Sequence, residues 1–320
     1  MAGAPALALT AMSARISLRL TALILIVLAL TPPVAAQRED LVFRRGVHEG
    51  RAYRLYVPDV SAPMPLVVAL HGCQQTAEDF ARGTRLNEAA ARRGLIVLYP
   101  MQERRNNIER CWNWFEPAHQ QRDGGGEVTE LLSLIARVRQ EPNVARGRVI
   151  VLGLSAGAFM AVNLACAAPD VVGGVGTSAG GPYGCGPGPD GALRCMLGRQ
   201  PDGKDAAQRC LTAMGARRQP VRASLWHGER DSVVSPINLE SLAQMFRSMN
   251  GATSSAATAD GSPHVVYRDR LGHAVHETWL VSGMGHAWSG GDPRGTHTFP
   301  SGPDATAHML RFLLEDGAGR

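Results

Sequence analysis

Val149-Ile150-Val151-Leu152-Gly153-Leu154-Ser155-Ala156-Gly157-Ala158-Phe159-Met160 is the stretch that decides the fold. Its first four residues are apolar and three are β-branched, the pattern of a buried strand. Gly-x-Ser-x-Gly follows, and residues 158–167 then run without Gly or Pro, as a helix does. Strand, tight turn and helix is the setting a nucleophilic serine requires. The turn lifts the Ser155 hydroxyl above the sheet edge, and the Ala156 amide at the helix start faces the place where an oxyanion would form. Gly153 and Gly157 remove Cβ atoms that would collide with the neighbouring strand and helix.

The pattern alone does not decide, because Gly176-Thr177-Ser178-Ala179-Gly180 repeats it. Gly181-Pro182-Tyr183-Gly184 follows that copy, so no helix N-terminus faces Ser178. Context favours Ser155 as the nucleophile and puts Ser178 in a Gly-rich strand end lining the same cleft.

Outward from this centre, the N-terminus separates from the rest. Arg15 and Arg19 precede the apolar run Leu20–Leu30, which is short for a membrane span. Thr31-Pro32-Pro33 ends the run, and Val34-Ala35-Ala36 offers small residues for cleavage before Gln37. Residues 1–36 read as a secretory signal peptide, with an uncleaved anchor as the alternative, and 37–320 as a single domain. The formal net charge is +5 and the basic residues are nearly all arginine, without a long run of like charge. That distribution argues against a nucleic-acid partner and against stable membrane association after the leader is removed. Six cysteines suit an oxidising compartment, and none has metal or redox spacing. Cys166, inside the expected helix, reads as a buried free thiol, while Cys185, Cys195 and Cys210 cluster in one stretch.

Strand-like runs at 52–58, 65–70, 95–100, 171–175, 221–226 and 278–281 alternate with helical patterns at 76–93, 127–139, 237–249 and 305–314. His264, His273 and His276 fall around an expected hairpin turn at Gly272. The fold class expected is α/β: a mostly parallel sheet with helices on both faces, the α/β-hydrolase arrangement. The Gly- and Pro-rich stretch 180–219 reads as a small, loop-rich, disulfide-pinned cap, and 251–261 as a second flexible loop. Sites in such folds lie beyond the carboxyl ends of the strands.

A serine hydroxyl needs a base to take its proton, and the base needs a carboxylate to hold its tautomer. The expected order is serine, acid, histidine. Asp231, in the loop after the 221–226 run, is the candidate acid, with Glu229 its rival. His286 is the candidate base, in the Gly-loosened segment after 278–281; His297 and His308 come later, in a loop and a helix. His71-Gly72-Cys73 ends the first inner strand, and the Cys73 amide is the candidate second oxyanion donor. A Cys73–Cys111 disulfide is expected to hold that loop. Trp112 and Trp114, beside Cys111, are candidate substrate-facing aromatics with a place in the core as the equal alternative, and Trp288, two residues from His286, is the stronger pocket candidate. No cofactor and no metal are expected; the partner is an ester substrate, small or polymeric.

Taken together, Leu70–Ala77, Arg110–Phe115, Gly153–Gly157, Ala179–Cys185 and Gly283–Gly291 resemble the polyhydroxybutyrate depolymerase family of secreted esterases, to which feruloyl and acetylxylan esterases are related. The resemblance runs from about Ala52 to Leu314 and implies Ser155, Asp231 and His286 as the triad, with Cys73 beside the oxyanion hole. Depolymerases of the solid polymer usually add a linker and a polymer-binding domain, which are not expected here. The function expected is hydrolysis of hydroxyalkanoate esters or oligomers by a secreted serine carboxylesterase. The alternatives are plant-wall acyl esters as substrates, an acyltransferase, and a non-catalytic binding protein.

Overall fold

Leu66–Leu70 (β3) and Ile96–Pro100 (β4) are buried at every position, as strands covered on both faces must be. The computed structural model describes residues 43–60, 62–199, 202–257 and 264–315, so the expected leader lies outside the described residues. The other strands of the main sheet are Phe43–His48 (β1), Arg51–Tyr56 (β2), Val149–Leu154 (β5), Val172–Ser178 (β6), Arg222–Gly228 (β7), Ser254–Ala257 (β8), His264–Arg268 (β9) and Ala274–Val281 (β10). They form one sheet in the order β1-β2-β4-β3-β5-β6-β7-β10-β9-β8. From β4 to β10 the neighbours run parallel; β1 and β2 extend one edge, and β9 and β8 the other, in antiparallel pairing.

The period-two alternation of each inner strand divides the core. Leu66, Val68, Leu70, Val149 and Val151 pack with Leu131, Phe159 and Phe246, which come from helices Glu127–Val138 (α3), Ala156–Ala167 (α4) and Ile237–Asn250 (α7). On the opposite face Leu152 and Met309 of helix Ala305–Glu315 (α8) both lie against Gly176. Helices therefore cover both faces of a mostly parallel sheet, the α/β-hydrolase architecture. Every residue of α4 is buried. Among the described residues no helix is long and apolar enough to cross a membrane.

Four expectations need correction. The pattern at 76–93 is two helices, Ala77–Thr84 (α1) and Leu86–Arg93 (α2), broken at Arg85, whose φ is 54°. The break follows from tertiary competition: the Gly83 carbonyl accepts from the Asp292 amide (2.9 Å) and that of Thr84 from Thr306 Oγ1 (2.6 Å). The stretch 180–219 is not mainly loop but carries Gly188–Met196 (α5) and Gly203–Met214 (α6). Asp202 starts α6 by accepting the Lys204 and Asp205 amides at 2.9 and 3.0 Å. Cys166 is no free thiol but is bonded to Cys210, joining α4 to α6. The segment expected as a flexible loop at 251–261 contains β8, while 258–263 lie outside the described residues. The hairpin turn at Gly272 joins β9 and β10 as expected.

Two histidines are buried uncharged in this framework. His71, at the end of β3, donates through Nδ1 to the Gly72 carbonyl (2.7 Å) and accepts the Gln102 amide at Nε2 (3.1 Å). Burial lowers its pKa to about 4. His276 on β10 stacks on Tyr267 at 4.1 Å with no hydrogen-bond partner for either ring nitrogen among the described residues, and burial lowers its pKa to about 3.

Two outcomes follow. The disulfides Cys73–Cys111, Cys166–Cys210 and Cys185–Cys195 use all six cysteines. Thiol titration of the denatured, unreduced protein should therefore find none, and Cys210→Ser should cost about 2–4 kcal/mol in denaturant unfolding. Because the folded state holds His71 neutral while the unfolded chain takes up a proton near pH 6.5, stability is full above that pH and falls toward pH 4. His71 alone should contribute about 3 kcal/mol to that loss. Denaturant titrations across this window should show a shallower fall for His71→Asn.

Candidate active site

The backbone turn between β5 and α4 places Ser155 at φ 55°, ψ −122°, a conformation costing an L-residue about 1–3 kcal/mol. The turn is possible because its flanking residues lack side chains. A Cβ on Gly153 would lie 2.3 Å from the Gly157 carbonyl oxygen, and one on Gly157 would lie 2.1 Å from that of Leu70. The Ser155 amide donates to the Ser178 carbonyl at 2.9 Å, which fixes the turn to the end of β6.

The loop after β3 faces this helix start. Its amides are used one by one: Gly72 donates to Gln75 Oε1 (2.9 Å), Gln74 to the Glu109 carbonyl (2.7 Å) and Gln75 to the Gly72 carbonyl (3.4 Å). The Cys73 amide takes no such partner among the described residues, nor does that of Ala156 at the first position of α4. Two unengaged donors thus stand in neighbouring segments, as stabilisation of an oxyanion requires. Cys73 is disulfide-bonded to Cys111. Behind the loop lies a buried polar network that the sequence analysis did not find. Glu127 accepts from the Asn113 amide (2.7 Å) and side chain (2.8 Å) and from Gln102, whose Oε1 in turn accepts from buried Arg51 (2.9 Å).

Asp231 and His286 are brought together from different strand ends: His286 Nδ1 donates to Asp231 Oδ2 at 2.8 Å. The other carboxylate oxygen accepts the Val233 and Val234 amides, each at 2.9 Å. His227 Nε2 donates to the Val234 carbonyl (2.9 Å) and lies 3.4 Å from Oδ2. Burial pushes the Asp231 carboxyl up, but hydrogen bonds from His227, His286 and the Val234 amide outweigh it and hold the group well below the usual carboxylate range. Such a carboxylate stays ionised and can steady an imidazolium. Glu229, the rival, is exposed and accepts instead from Ser282 Oγ (2.7 Å) and the Gly283 amide (3.1 Å), bracing the turn before His286.

The three tryptophans are not where substrate could lie against them. Trp112 is fully buried, its indole donating to the His71 carbonyl (3.1 Å) with the Arg51 guanidinium 5.2 Å over the ring. Trp114 stacks on Phe159 of α4 at 4.0 Å, in the core. Trp288 donates to Thr306 Oγ1 (3.0 Å) and meets Phe80 edge-on at 5.5 Å. For Trp112 and Trp288 an internal acceptor satisfies the indole N–H, which makes full burial favourable. Ser178 does not line a cleft either; its side chain is buried and donates to the Ala287 carbonyl (2.8 Å). His297, placed too late in the chain by sequence order, is exposed and lies edge-on to His286 with ring centres 6.2 Å apart. The Trp288 amide donates to its carbonyl at 2.7 Å, a contact that nothing in the local sequence announces.

Comparison with known proteins gives the family. Residues 51–264 match the family model described as esterase PHB depolymerase. Poly(3-hydroxyalkanoate) depolymerase C of Paucimonas lemoignei is 35% identical over 238 residues, 72% of this chain and 57% of that protein. Feruloyl esterase B of Neurospora crassa is 29% identical over 242 residues, covering 69% of this chain and 82% of that protein. The chain spans 57% of the length of that depolymerase and 48% of the poly(3-hydroxybutyrate) depolymerase of Ralstonia pickettii, which it also matches. The acetyl xylan esterase of Aspergillus awamori shares the fold, with a TM-score of 0.67 at 18% identity over 76% of this chain and 93% of that one. The chain belongs to the esterase PHB depolymerase family.

Proposed function

We propose that the protein is a serine carboxylesterase, exported from the cell, that hydrolyses hydroxyalkanoate esters or oligomers through an acyl-enzyme. The observation that carries the reading is the His286 Nδ1–Asp231 bond at 2.8 Å, because it fixes the tautomer in which Nε2 is the basic nitrogen that a serine nucleophile needs. Ser155 attacks the ester carbonyl as His286 takes its proton. The oxyanion rests on the Cys73 and Ala156 amides, and ionised Asp231 stabilises the imidazolium. His286 then protonates the departing alkoxide and afterwards takes a proton from water, whose attack on the acyl-enzyme releases the acid and restores Ser155.

The depolymerase at 35% identity favours hydroxyalkanoate substrates. A second reading, feruloyl or acetyl esters of plant walls, draws support from the feruloyl esterase and acetylxylan esterase relatives. Three disulfides favour an oxidising destination outside the cytoplasm, and N-terminal sequencing of exported protein should begin at Gln37.

Steady-state hydrolysis of hydroxybutyrate oligomers, methyl ferulate and acetylated xylan ranks the substrate classes; the highest kcat/KM should fall on the oligomers. Ser155→Ala should lower kcat by about 10⁴-fold or more on every substrate, and Asp231→Asn by roughly 10³- to 10⁴-fold. Undiminished turnover in Ser155→Ala would overturn the assignment.

A further inference from the structure

The second Gly-x-Ser-x-Gly copy has no part in the reaction just described, yet its serine occupies a distinctive place. Ser178 is the last residue of β6, in register with Leu154 of β5 on one side and Trp226 of β7 on the other. It therefore stands between the strand that leads to Ser155 and the strand that leads to Asp231. Its side chain has no exposure to solvent.

Its polar groups point to two different loops. The carbonyl accepts the Ser155 amide at 2.9 Å, and the hydroxyl donates to the Ala287 carbonyl at 2.8 Å. Ala287 directly follows the base. The segment that carries His286 is otherwise loosely tied: the Met284 carbonyl accepts the Arg230 amide (2.8 Å) and the Trp288 amide donates to His297 (2.7 Å). Between those two points, the bond to Ser178 is the one backbone hydrogen bond of residues 285–287 among the described residues. Gly283 and Gly285 precede it, so the chain there has little stiffness of its own.

We propose that Ser178 is a positioning residue: one buried hydroxyl sets the spacing between nucleophile and base by holding Ala287 to the same residue that holds Ser155. The proposal rests on Ser155 and His286 being that nucleophile and base. A second copy of the motif without a helix behind it is thus a cross-brace rather than a spare nucleophile. Misplacement of a catalytic group by about 1 Å can cost on the order of 10²-fold in rate, which is the leverage such a brace has.

The test compares Ser178→Thr with Ser178→Val in the full chain, with Ser178→Ala and Ser155→Ala alongside. Thr and Val have the same shape and differ in the hydroxyl, so any cost of the added methyl groups cancels. Sites are first counted by titration with a fluorophosphonate, and kcat and KM are then expressed per titrated site. The expected result is a kcat about 10- to 100-fold lower in Ser178→Val than in Ser178→Thr, with KM within about twofold. Ser178→Ala should fall with the Val variant. Equal kcat per titrated site in the Thr and Val variants would overturn the proposal, leaving Ser178 a packing residue. If Ser155→Ala keeps its activity, the reading beneath the proposal fails instead, a separate outcome.

Discussion

The position of the candidate nucleophile depends on a contact between backbones. The first turn of α4 sits so close to the end of β3 that a Cβ on Gly157 would overlap the carbonyl oxygens of Leu70 and His71, at 2.1 and 2.6 Å. No side chain mediates this approach, so no rotamer can relax it. It sets Ser155 at a nearly fixed distance from the loop that carries Cys73. The left-handed backbone of Ser155 is the local cost, and burial of the whole of α4 against the sheet offsets it.

Around that contact the loops beyond the strand ends are tied to one another in series. Gln75 links the Gly72 amide (2.9 Å) to the Thr296 carbonyl (3.2 Å), so one side chain joins the loop that carries Cys73 to the loop that bears His297. Trp288 pairs with that second loop, Ala287 with Ser178, and Met284 with Arg230 beside the acid. Each tie is a single hydrogen bond of modest net energy, about 1 kcal/mol. Their worth lies in succession: four ties join residues from five segments distant in the chain. The buried carboxylate of Glu127 extends the same logic inward, with amide donors satisfying it close to the Arg51 guanidinium.

Much of this was legible in the chain, for identifiable reasons. Inner parallel strands are apolar on both faces, so Leu66–Leu70 and Val149–Leu152 announce themselves. The order of Ser155, Asp231 and His286 follows from strand ends, which are also readable. The edges were harder. β1 carries exposed Arg44 and Arg45 and β8 is exposed throughout, so neither has the hydrophobic signal of a strand. The break at Arg85 depends on Asp292 and Thr306, some two hundred residues away, and no local pattern records such partners. The burial of Trp112 and Trp288 was not legible because it rests on acceptors in other segments, the His71 carbonyl and the Thr306 hydroxyl. One available signal was missed: Asp202 ahead of Gly203-Lys204-Asp205 is a helix cap, and it marked α6 inside a stretch read as loop.

The complete enclosure of α4 has a consequence for how this scaffold can diversify. A helix with no outward side has nowhere to register a change of diet, since any substitution there is felt first as a packing defect. Room for substitution lies instead in the segments between strands, where a side chain can change without disturbing a buried neighbour. Chemistry is inherited along the interior, and appetite is written on the rim.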